Sequence, residues 1–511
     1  MITALLIGLG LVYLATSMLL FFFGLNLIGY SFTALRTGRC RDSAATGHSP
    51  SSEWPHVTIQ LPIYNEWFVA ERAIEGVCRI DYPRRLLTIQ VLDDSDDDTI
   101  DVVDSAVAAA RRQGFDITVL RRTNRVGYKA GALAAGLAST KSEYIAVFDA
   151  DFLPPADFLR RALGGFDDAK IAFVQARWGH LNEQHSILTS LQAIAIDAHF
   201  GIEQVARGHR GHWFNFNGTC GVWRREAIES AGGWTADTLT EDLDLSYRAH
   251  LAGWKGAYLD DLDVPGELPG EISSLRTQQA RWARGSIECA IKLLGLVWRS
   301  DQRLAVKFQA TAHLIAYGVH LLLVAITLLY PAVLILAERV DLGRPAFVLG
   351  CCLATASAAP VVFLVSGQYR KGVPLTRALP RVIGLVVLGS GLMLNTVRSV
   401  ATIATEREAE FERTAKFALL DDSSRSTAPR YRNRIDPIVW WELALGGYAT
   451  ATVALAASVR SWGVVIYASM FASGLFAVAV VSIVHELRRR SDFRSITSEV
   501  NRSVLLDAST T

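Results

Sequence analysis

The sequence predicts an α/β domain with a mixed, mostly parallel sheet, inserted between an N-terminal and several C-terminal transmembrane α-helices. Between residues 55 and 285, short apolar strand patterns alternate with helical patterns, which is typical of parallel sheets. On both sides of this segment, apolar runs reach the roughly 20 residues that a membrane-spanning helix needs. The composition agrees, since 50% of the 511 residues are apolar and the mean hydropathy is +0.24.

Residues 1–36 form the first predicted transmembrane helix. Residues 2–34 are almost uncharged, and Arg36, Arg39 and Arg41 follow them. A cleaved signal peptide has its positive charge first and a shorter apolar core. The reversed order predicts an anchor with its N-terminus outside and its basic end in the cytoplasm.

Four strands are predicted in the first half of the domain, with helices between them. The strands cover residues 57–62, 87–92, 117–120 and 144–148, and two of the helices cover 101–113 and 130–139. Polar residues follow the first, second and fourth strands. Because ligands of parallel sheets bind beyond the carboxyl ends of the strands, we expect these polar residues to converge on one edge.

Asp149 and Asp151 follow the fourth strand and are the predicted metal ligands. Carboxylates two residues apart at the end of a strand can reach the same hard cation. A diphosphate ligand would need a divalent ion, Mg²⁺ or Mn²⁺, between its own negative charge and these acids. An isolated Asp-x-Asp is more often part of a surface loop, and its position after a buried strand favours the metal site here.

Beyond residue 285 the sequence becomes apolar. Residues 286–303 alternate apolar and charged positions at helical spacing, which predicts an interfacial amphipathic helix. The segments that follow are predicted as transmembrane or interfacial helices (304–403), a cytosolic loop (404–437), two transmembrane helices (438–485) and a polar cytosolic tail (486–511).

The number of membrane crossings can be estimated from the basic residues. With the N-terminus outside and Arg488, Arg489 and Arg490 expected inside, the number of crossings is odd. The sequence has six apolar runs, so one of them should not cross. Residues 378–403 have basic residues on both sides, and we expect this run to lie along the cytoplasmic face.

Five short motifs occur in a fixed order along the chain. They are Pro62-Ile63-Tyr64-Asn65-Glu66, Asp93-Asp94, Asp149-Ala150-Asp151, Thr240-Glu241-Asp242 and Gln278-Gln279-Ala280-Arg281-Trp282. Acidic motifs followed by Gln-x-x-Arg-Trp just before a membrane block resemble the processive family 2 glycosyltransferases, which include the cellulose, hyaluronan, chitin and mannan synthases. Residues 174–178 and 216–224 look more like the mannan, glucomannan and xyloglucan-backbone synthases than like bacterial cellulose synthase.

The resemblance implies a GT-A-type glycosyltransferase domain over residues 55–285 and a role for each motif. Asp242, with Glu241 beside it, would be the catalytic acid pair, and Asp242 would take the proton from the acceptor hydroxyl. Trp282 would offer its ring to the acceptor sugar. The implied donor-binding residues are Pro62, Tyr64, Glu66, Asp93, Asp94, Lys129, Asp149, Gln278 and Arg281. Besides Trp282, the implied acceptor-binding residues are Phe216, Asn217, Gly218 and Thr219.

Two further interpretations remain open beside these roles. The acidic motifs also suit helix capping, with Asp98 or Thr99 at one helix and Thr240 at another. Residues 411–416 resemble the gating loop of cellulose synthase, which would bring Thr414 and Lys416 to the donor diphosphate. A charged linker is the alternative for that segment.

The implied function is an integral, metal-dependent, inverting glycosyltransferase of the plasma (inner) membrane with a cytoplasmic catalytic domain. It would build a β-linked glucan or mannan from UDP-glucose or GDP-mannose and export the growing polysaccharide through its own channel in the lipid bilayer. The alternatives are a non-processive enzyme acting on a lipid or short acceptor, and a transporter or sensor that binds a nucleotide sugar without turnover. A net charge of +1 without basic tracts indicates no nucleic-acid partner.

Overall fold

The computed structural model describes residues 2–37, 54–340, 349–350, 353, 356–406 and 436–507. Within these ranges the α/β domain is built on one seven-stranded sheet with the spatial order β3-β2-β1-β4-β6-β5-β7. The strands are β1 (Val57–Ile63), β2 (Leu87–Asp93), β3 (Asp116–Leu120), β4 (Tyr144–Val147), β5 (Ile171–His180), β6 (Gly221–Arg224) and β7 (Lys255–Gly266).

The strand directions confirm the predicted mixed, mostly parallel sheet. Of the strands described, β6 alone runs antiparallel to both of its neighbours, and the other pairings are parallel. The four strands predicted from the sequence are present with ends that differ by one residue at most. Since β1, β2 and β4 are mutually parallel, their carboxyl ends meet at one edge of the sheet.

Helices cover both faces of the sheet and continue on both sides of the domain. In the described ranges they are α1 (Ile2–Thr37), α2 (Ala70–Cys78), α3 (Thr99–Arg112), α4 (Tyr128–Ala138), α5 (Phe158–Gly164), α6 (Ile187–Ala198), α7 (Val205–Arg210), α8 (Arg225–Ser230), α9 (Glu241–Leu251), α10 (Ile272–Arg299), α11 (Leu304–Leu314), α12 (Val319–Arg339), α13 (Ala359–Lys371), α14 (Leu375–Gly391), α15 (Met393–Ala401), α16 (Ile438–Ser458) and α17 (Trp462–Asp507). A π-helical turn, His199–Gln204, joins α6 to α7, and short 3₁₀ turns occur at Arg84–Leu86, Ala316–Gly318, Ala356–Ala358 and Thr402–Ala404.

The core of the domain is formed on both faces of this sheet. On one face, apolar residues of β1 and β2 pack against α2, α3 and α5 in one buried cluster. On the other face, Ile145 and Val147 of β4 pack against α4, α8 and α9 in a second cluster. Burial on both faces is typical of parallel sheets and explains the continuous apolar runs in these strands.

Five stretches of the described helices are long and apolar enough to cross a membrane, and they support an integral membrane protein. They are Ala4–Thr37, Ala316–Arg339, Leu375–Ala404, Ile438–Ser458 and Trp462–Leu487. The apolar run 345–366 lies partly outside the described residues. Run 378–403 is divided into α14 and α15 near Leu392, and its position along the cytoplasmic face stays a prediction.

The amphipathic helix expected at 286–303 has different boundaries in the structure. Helix α10 runs without interruption from Ile272 to Arg299, so it carries the Gln-x-x-Arg-Trp motif in its first half. The sequence-based boundary differs from the observed one because the polar residues of the motif interrupt the apolar pattern without interrupting the helix. The motif and the apolar end of α10 therefore form one rigid element.

A buried ion pair joins α10 to the membrane helices. The guanidinium of Arg276 donates to both carboxylate oxygens of Glu442 in α16 at 2.7 Å, and to Ser482 Oγ in α17 at 3.0 Å. The side chains of Arg276 and Glu442 are 6% and 0% exposed. The amide of Asn395 in α15 donates to the Arg276 carbonyl oxygen at 3.0 Å. The start of α10 is thus held by three membrane-side helices.

We expect Glu442→Ala to destabilise the protein by about 3–5 kcal/mol, because it leaves the Arg276 charge buried without its partner. Thermal unfolding of the detergent-solubilised protein measures this effect. Glu338→Ala, the same change at the exposed end of α12, is the matched control. The double variant Arg276→Met/Glu442→Leu should recover most of the loss, and a double variant as unstable as Glu442→Ala would contradict the explanation.

Candidate active site

A single pocket at the carboxyl edge of the sheet collects most of the candidate residues. Its lining includes Pro62, Tyr64, Glu66, Asp94, Lys129, Asp149, Asp151, Asn217, Gly218, Glu241, Asp242, Gln278, Arg281 and Trp282. These residues come from the ends of β1, β2 and β4, from α4 and α9, and from α10. The convergence expected from the strand pattern is therefore present, and α10 closes the pocket on the membrane side.

Lys129 lies at the centre of the acidic residues. Its ammonium group donates to Asp149 Oδ1 at 2.6 Å and to the Gly218 carbonyl oxygen at 3.0 Å, and it lies 3.7 Å from Glu241 Oε1. Burial lowers the pKa of Lys129, but the carboxylates of Asp149 and Glu241 outweigh burial and raise the pKa above its ordinary value. Lys129 is thus a permanent cation in the pocket.

The carboxyl group of Asp242 lies in the first turn of α9 and has an altered pKa. Burial and then the negative charge of Glu241 raise the pKa of Asp242 to about 7, against the opposing effect of Lys129. A carboxylate with a raised pKa is a better proton acceptor than an ordinary aspartate. The environment of Asp242 therefore suits a general base.

Gly218 makes the close approach of these groups possible. Its φ is +78°, and a Cβ atom at this position would lie 3.0 Å from Asp242 Oδ2 and 3.4 Å from Lys129 Nζ. A side chain would therefore be strained in this conformation and would push the base and the cation apart. In the structure, this glycine gives room to Asp242 and Lys129.

The two acids proposed as metal ligands line the same pocket. Asp149 is held by its backbone N–H, which donates to Thr219 Oγ1 at 2.8 Å, and its side chain is 34% exposed. Asp151 is buried at the pocket wall. Within the described residues, no group of three or more His, Cys, Asp or Glu side chains is arranged to hold a metal. Two carboxylates fit a Mg²⁺ or Mn²⁺ ion that takes its remaining ligands from phosphate and water.

The loops after β1 and β2 also contribute to the pocket. The guanidinium carbon of Arg125 lies 3.2 Å from the centre of the Tyr64 ring, a cation–π contact that fixes this ring. Arg122 forms a bidentate ion pair with Asp94, in which Nε donates to Oδ1 at 3.0 Å and Nη2 donates to Oδ2. Tyr64 and Asp94 are thus held in place before any ligand binds.

Three predicted site residues do not line the pocket. Asp93 is buried and accepts from Arg121 Nε at 2.9 Å, because successive residues of a strand point to opposite faces and Asp94 takes the pocket side. Phe216 is fully buried, with its ring 5.5 Å from that of Trp223. Thr219 is buried and orients Asp149. In the structure these three residues hold supporting positions, and their predicted direct contacts with ligand stay predictions.

Thr414 and Lys416 lie outside the described residues, so their predicted contact with the donor diphosphate stays a prediction.

The capping interpretation was wrong in detail. Asp98 and Thr240 occupy N-cap positions, but neither side chain makes a cap hydrogen bond. Instead, Asp97 Oδ1 accepts from the backbone N–H of Thr99 at 2.9 Å.

The pocket also contains residues that the sequence argument did not assign. Arg125, Trp178, His180 and Glu267 line it. Trp178 belongs to the segment 174–178, which resembled the family without a role attached to this residue. His180 follows Trp178 by two residues on β5, and this alternation was the available signal, because alternate residues of a strand share a face.

Comparison with known sequences identifies the class of the domain. Residues 55–285 match the family described as glycosyltransferase like family 2. This segment belongs to family 2 of the glycosyltransferases, and the GT-A-type fold implied by the motifs is confirmed together with the observed sheet.

The chain is also similar to curated plant mannosyltransferases. The chain is 42% identical over 256 residues to glucomannan 4-beta-mannosyltransferase 7 of Arabidopsis thaliana. The matched segment covers 49% of this chain and 46% of the relative. It is 38% identical over 299 residues to glucomannan 4-beta-mannosyltransferase 1 of Oryza sativa subsp. japonica, with coverage of 55% and 57%. The chain spans about half the length of these relatives. The group indicated by residues 174–178 and 216–224 is confirmed.

Among solved structures, a mannosyltransferase from Pyrobaculum calidifontis in complex with GDP-Man and Mn²⁺ matches 72% of this chain and 98% of its own chain. The identity is 20% and the TM-score is 0.44.

Proposed function

We propose that this enzyme polymerises a β-linked, mannan-type polysaccharide from a nucleotide sugar by inverting transfer. One observation carries the proposal: Asp242, Asp149, Asp151 and Arg281 line the same pocket, and Trp282 lies on the same wall. An inverting transfer needs a base on one side of the anomeric carbon and cationic groups around the leaving diphosphate on the other. The pocket contains both kinds of group.

In the proposed reaction, a hydroxyl oxygen of the acceptor sugar bonds to the anomeric carbon of the donor. Asp242 accepts the proton of that hydroxyl. The bond between the anomeric carbon and the diphosphate oxygen breaks, and its electron pair leaves with the nucleoside diphosphate. Arg281 offers a planar fork of donors to the diphosphate, and Lys129 adds a second positive charge.

Asp149 and Asp151 are the residues that would hold Mg²⁺ or Mn²⁺. A bound divalent ion would supply neutralisation of the diphosphate charge. Lys129 keeps Asp149 oriented through the 2.6 Å ion pair, and Thr219 fixes the backbone of the same residue. These contacts position a carboxylate at the pocket wall independently of the ligand.

Processive synthesis coupled to export is part of the proposal. Gln278, Arg281 and Trp282 lie on the helix that Glu442 and Asn395 hold from the membrane side. The hydroxyl of Ser399 in α15 also donates to the Ala280 carbonyl oxygen at 2.6 Å. The acceptor end of the pocket therefore adjoins the apolar helices, and a polysaccharide leaving Trp282 would enter the membrane block. The basic end of α1 fits a pocket that lies on the cytoplasmic side of the plasma (inner) membrane.

For the donor, the names of the curated relatives favour GDP-mannose over UDP-glucose. The full-length protein, purified in lipid nanodiscs, tests this with labelled GDP-mannose and UDP-glucose, each with Mn²⁺ or Mg²⁺. Digestion of the product with mannan- and glucan-specific hydrolases reports the linkage. A long, hydrolase-sensitive β-mannan supports the proposal. A product with one added sugar would favour the non-processive alternative, and absence of transfer from either donor would contradict the proposed reaction.

The raised pKa of Asp242 leads to a prediction about pH. The base works as a carboxylate, so activity is present above its pKa and is lost as the pH falls through it. Glu241 contributes to the raised value through its negative charge, so Glu241→Gln should lower the pKa of Asp242. The acid limb of kcat/KM should then move to lower pH. Profiles of both enzymes between about pH 5 and pH 8 measure the shift, since a base is fully active only above its pKa. An acid limb that stays in place or moves to higher pH would argue against Asp242 as the base.

A further inference from the structure

Two polar atoms on the wall of the pocket are buried and lack a protein partner. They are Nε1 of Trp178 and Nδ1 of His180, and neither has a hydrogen-bond partner among the residues that the structure describes. Both side chains line the pocket. A buried polar atom without a hydrogen bond costs free energy, so its presence in a ligand pocket points to a ligand group that completes it.

The orientation of His180 is fixed from behind. Its Nε2 lies 3.1 Å from Asp197 Oδ1, and the side chains of the two residues are 3% and 2% exposed. Asp197 is itself held by Lys371 at 2.9 Å and Gln368 at 3.1 Å, both from α13. Burial raises the pKa of Asp197, but His180 and Lys371 outweigh burial and lower it. Asp197 is therefore an anion that can only accept hydrogen bonds.

This contact determines what His180 presents to the pocket. Since the Asp197 carboxylate has no proton to donate, Nε2 carries the proton of this contact, and in a neutral imidazole it is the single ring proton. Nδ1 is then a hydrogen-bond acceptor directed by a rigid ring. The indole Nε1 of Trp178 can only donate. The wall thus offers one donor and one acceptor, the combination that sugar hydroxyls satisfy.

Trp178 is held by aromatic contacts on its other sides. Its ring centre lies 5.1 Å from those of Phe152 and Phe200, and 6.5 Å from that of Trp282. Aromatic surfaces beside directed hydrogen-bonding groups suit a sugar ring, which has both apolar C–H faces and hydroxyl edges. The neighbouring Trp282 is the residue to which the proposed function gives the acceptor sugar.

The sheet order separates this wall from the nucleotide side. Tyr64 and Asp94 follow β1 and β2, whereas Trp178 and His180 end β5, which lies beyond β4 and β6 in the sheet. Asp149 and Asp151, which follow β4, lie between the two sides. A sugar against β5 is therefore on the acceptor side of the reaction.

We propose that Trp178 and His180 form a subsite that recognises hydroxyl groups of the acceptor sugar, with Trp178 Nε1 donating and His180 Nδ1 accepting. This inference rests on the proposed function, because it needs a carbohydrate acceptor beside Trp282. It assigns acceptor specificity to two residues of β5 and gives Asp197 the role of a positioning residue that sets the tautomer of His180.

Two substitutions at His180 separate ligand recognition from a structural role. In His180→Gln the amide nitrogen takes the place of Nε2, so the bond to Asp197 is kept and the Nδ1 acceptor is lost. In His180→Asn the amide oxygen takes the place of Nδ1, so the acceptor is kept and the bond to Asp197 is lost. Trp178→Phe removes the indole N–H and keeps an aromatic ring.

The test uses the full chain in nanodiscs with β-linked manno-oligosaccharide acceptors. We expect His180→Gln and Trp178→Phe each to raise the acceptor KM by about 10-fold, the effect of one lost hydrogen bond, with the donor KM unchanged. His180→Asn should raise it less than His180→Gln. Acceptors that lack single hydroxyls on the terminal sugar should bind more weakly than the complete acceptor to the wild type. For the His180→Gln variant, one of these acceptors should have the same KM as the complete acceptor.

The reverse order would overturn the inference: wild-type acceptor KM in His180→Gln with a damaged His180→Asn means that His180 only connects β5 to Asp197. An unchanged acceptor KM in Trp178→Phe removes the indole from the subsite. If the wild type transfers mannose or glucose and the variants give either of these results, this inference alone is contradicted. A wild type without transfer to any carbohydrate contradicts the proposed function as well. Thermal midpoints close to the wild type confirm that each variant is folded.

Discussion

Replacing Asp242 by Asn is expected to lower kcat by about 10²- to 10⁴-fold, the usual contribution of a positioned general base. The amide cannot accept the proton of the acceptor hydroxyl. Donor binding should remain near that of the wild type, because Lys129 keeps its ion pair with Asp149 and its proximity to Glu241. Product formation from labelled donor measures the first effect, and calorimetric titration with the nucleoside diphosphate and Mn²⁺ measures the second.

The matched control for this prediction is Asp167→Asn, the same change at an exposed position in the loop before β5. It should transfer at the wild-type rate. If Asp242→Asn transferred as fast as this control, Asp242 would not be the base, and Glu241 would be the next residue to test. If Asp242→Asn lost donor binding together with transfer, its carboxylate would belong to the donor site.

The second large effect is expected from Arg281→Ala. Removing a charge-assisted donor from the diphosphate should reduce kcat/KM for the donor by about 10²- to 10³-fold, as for other groups that stabilise charge in the transition state. The donor KM should rise too, because the proposed contact of Arg281 with the diphosphate exists both before and during the reaction. Initial rates over a range of donor concentrations separate the two parameters.

Arg299→Ala is the control for this change, because it removes an exposed arginine from the last turn of the same helix. It should leave both parameters unchanged. A rise in acceptor KM without any change in donor KM for Arg281→Ala would place this arginine on the acceptor side. Arg281→Lys should recover part of the loss, since lysine keeps the charge without the planar fork.

Much of the fold and site follows from local patterns. The strand ending at Asp149 could be predicted because Tyr144 to Phe148 form an apolar run before the polar residues of the site. The parallel arrangement then brings Asp94 and Asp149 to one edge, as the alternation of strands and helices indicates. The order of the motifs was enough to include Asp242, Arg281 and Trp282 in the same site.

Other features could not be predicted from local patterns. Which of Asp93 and Asp94 faces the pocket depends on the register at the end of β2, and a register difference of one residue reverses the answer. Phe216 and Thr219 belong to a motif, but packing against Trp223 and hydrogen bonding to Asp149 take them out of the pocket lining. The extent of α10 was missed because polar residues of the motif obscured a continuous helix.

By itself, the sequence determined the class of domain, the membrane helices on both sides and the acidic residues that carry the proposed chemistry, because apolar periodicity and motif order are local properties of the chain. Only the tertiary structure decided the environment of each group. The raised pKa of Asp242 comes from its burial beside Glu241, and the fixed orientation of the His180 ring comes from Asp197 and, through it, Lys371, which is distant in sequence. Charge interactions and hydrogen bonds depend on distances of a few ångströms, and these distances are set when the chain folds.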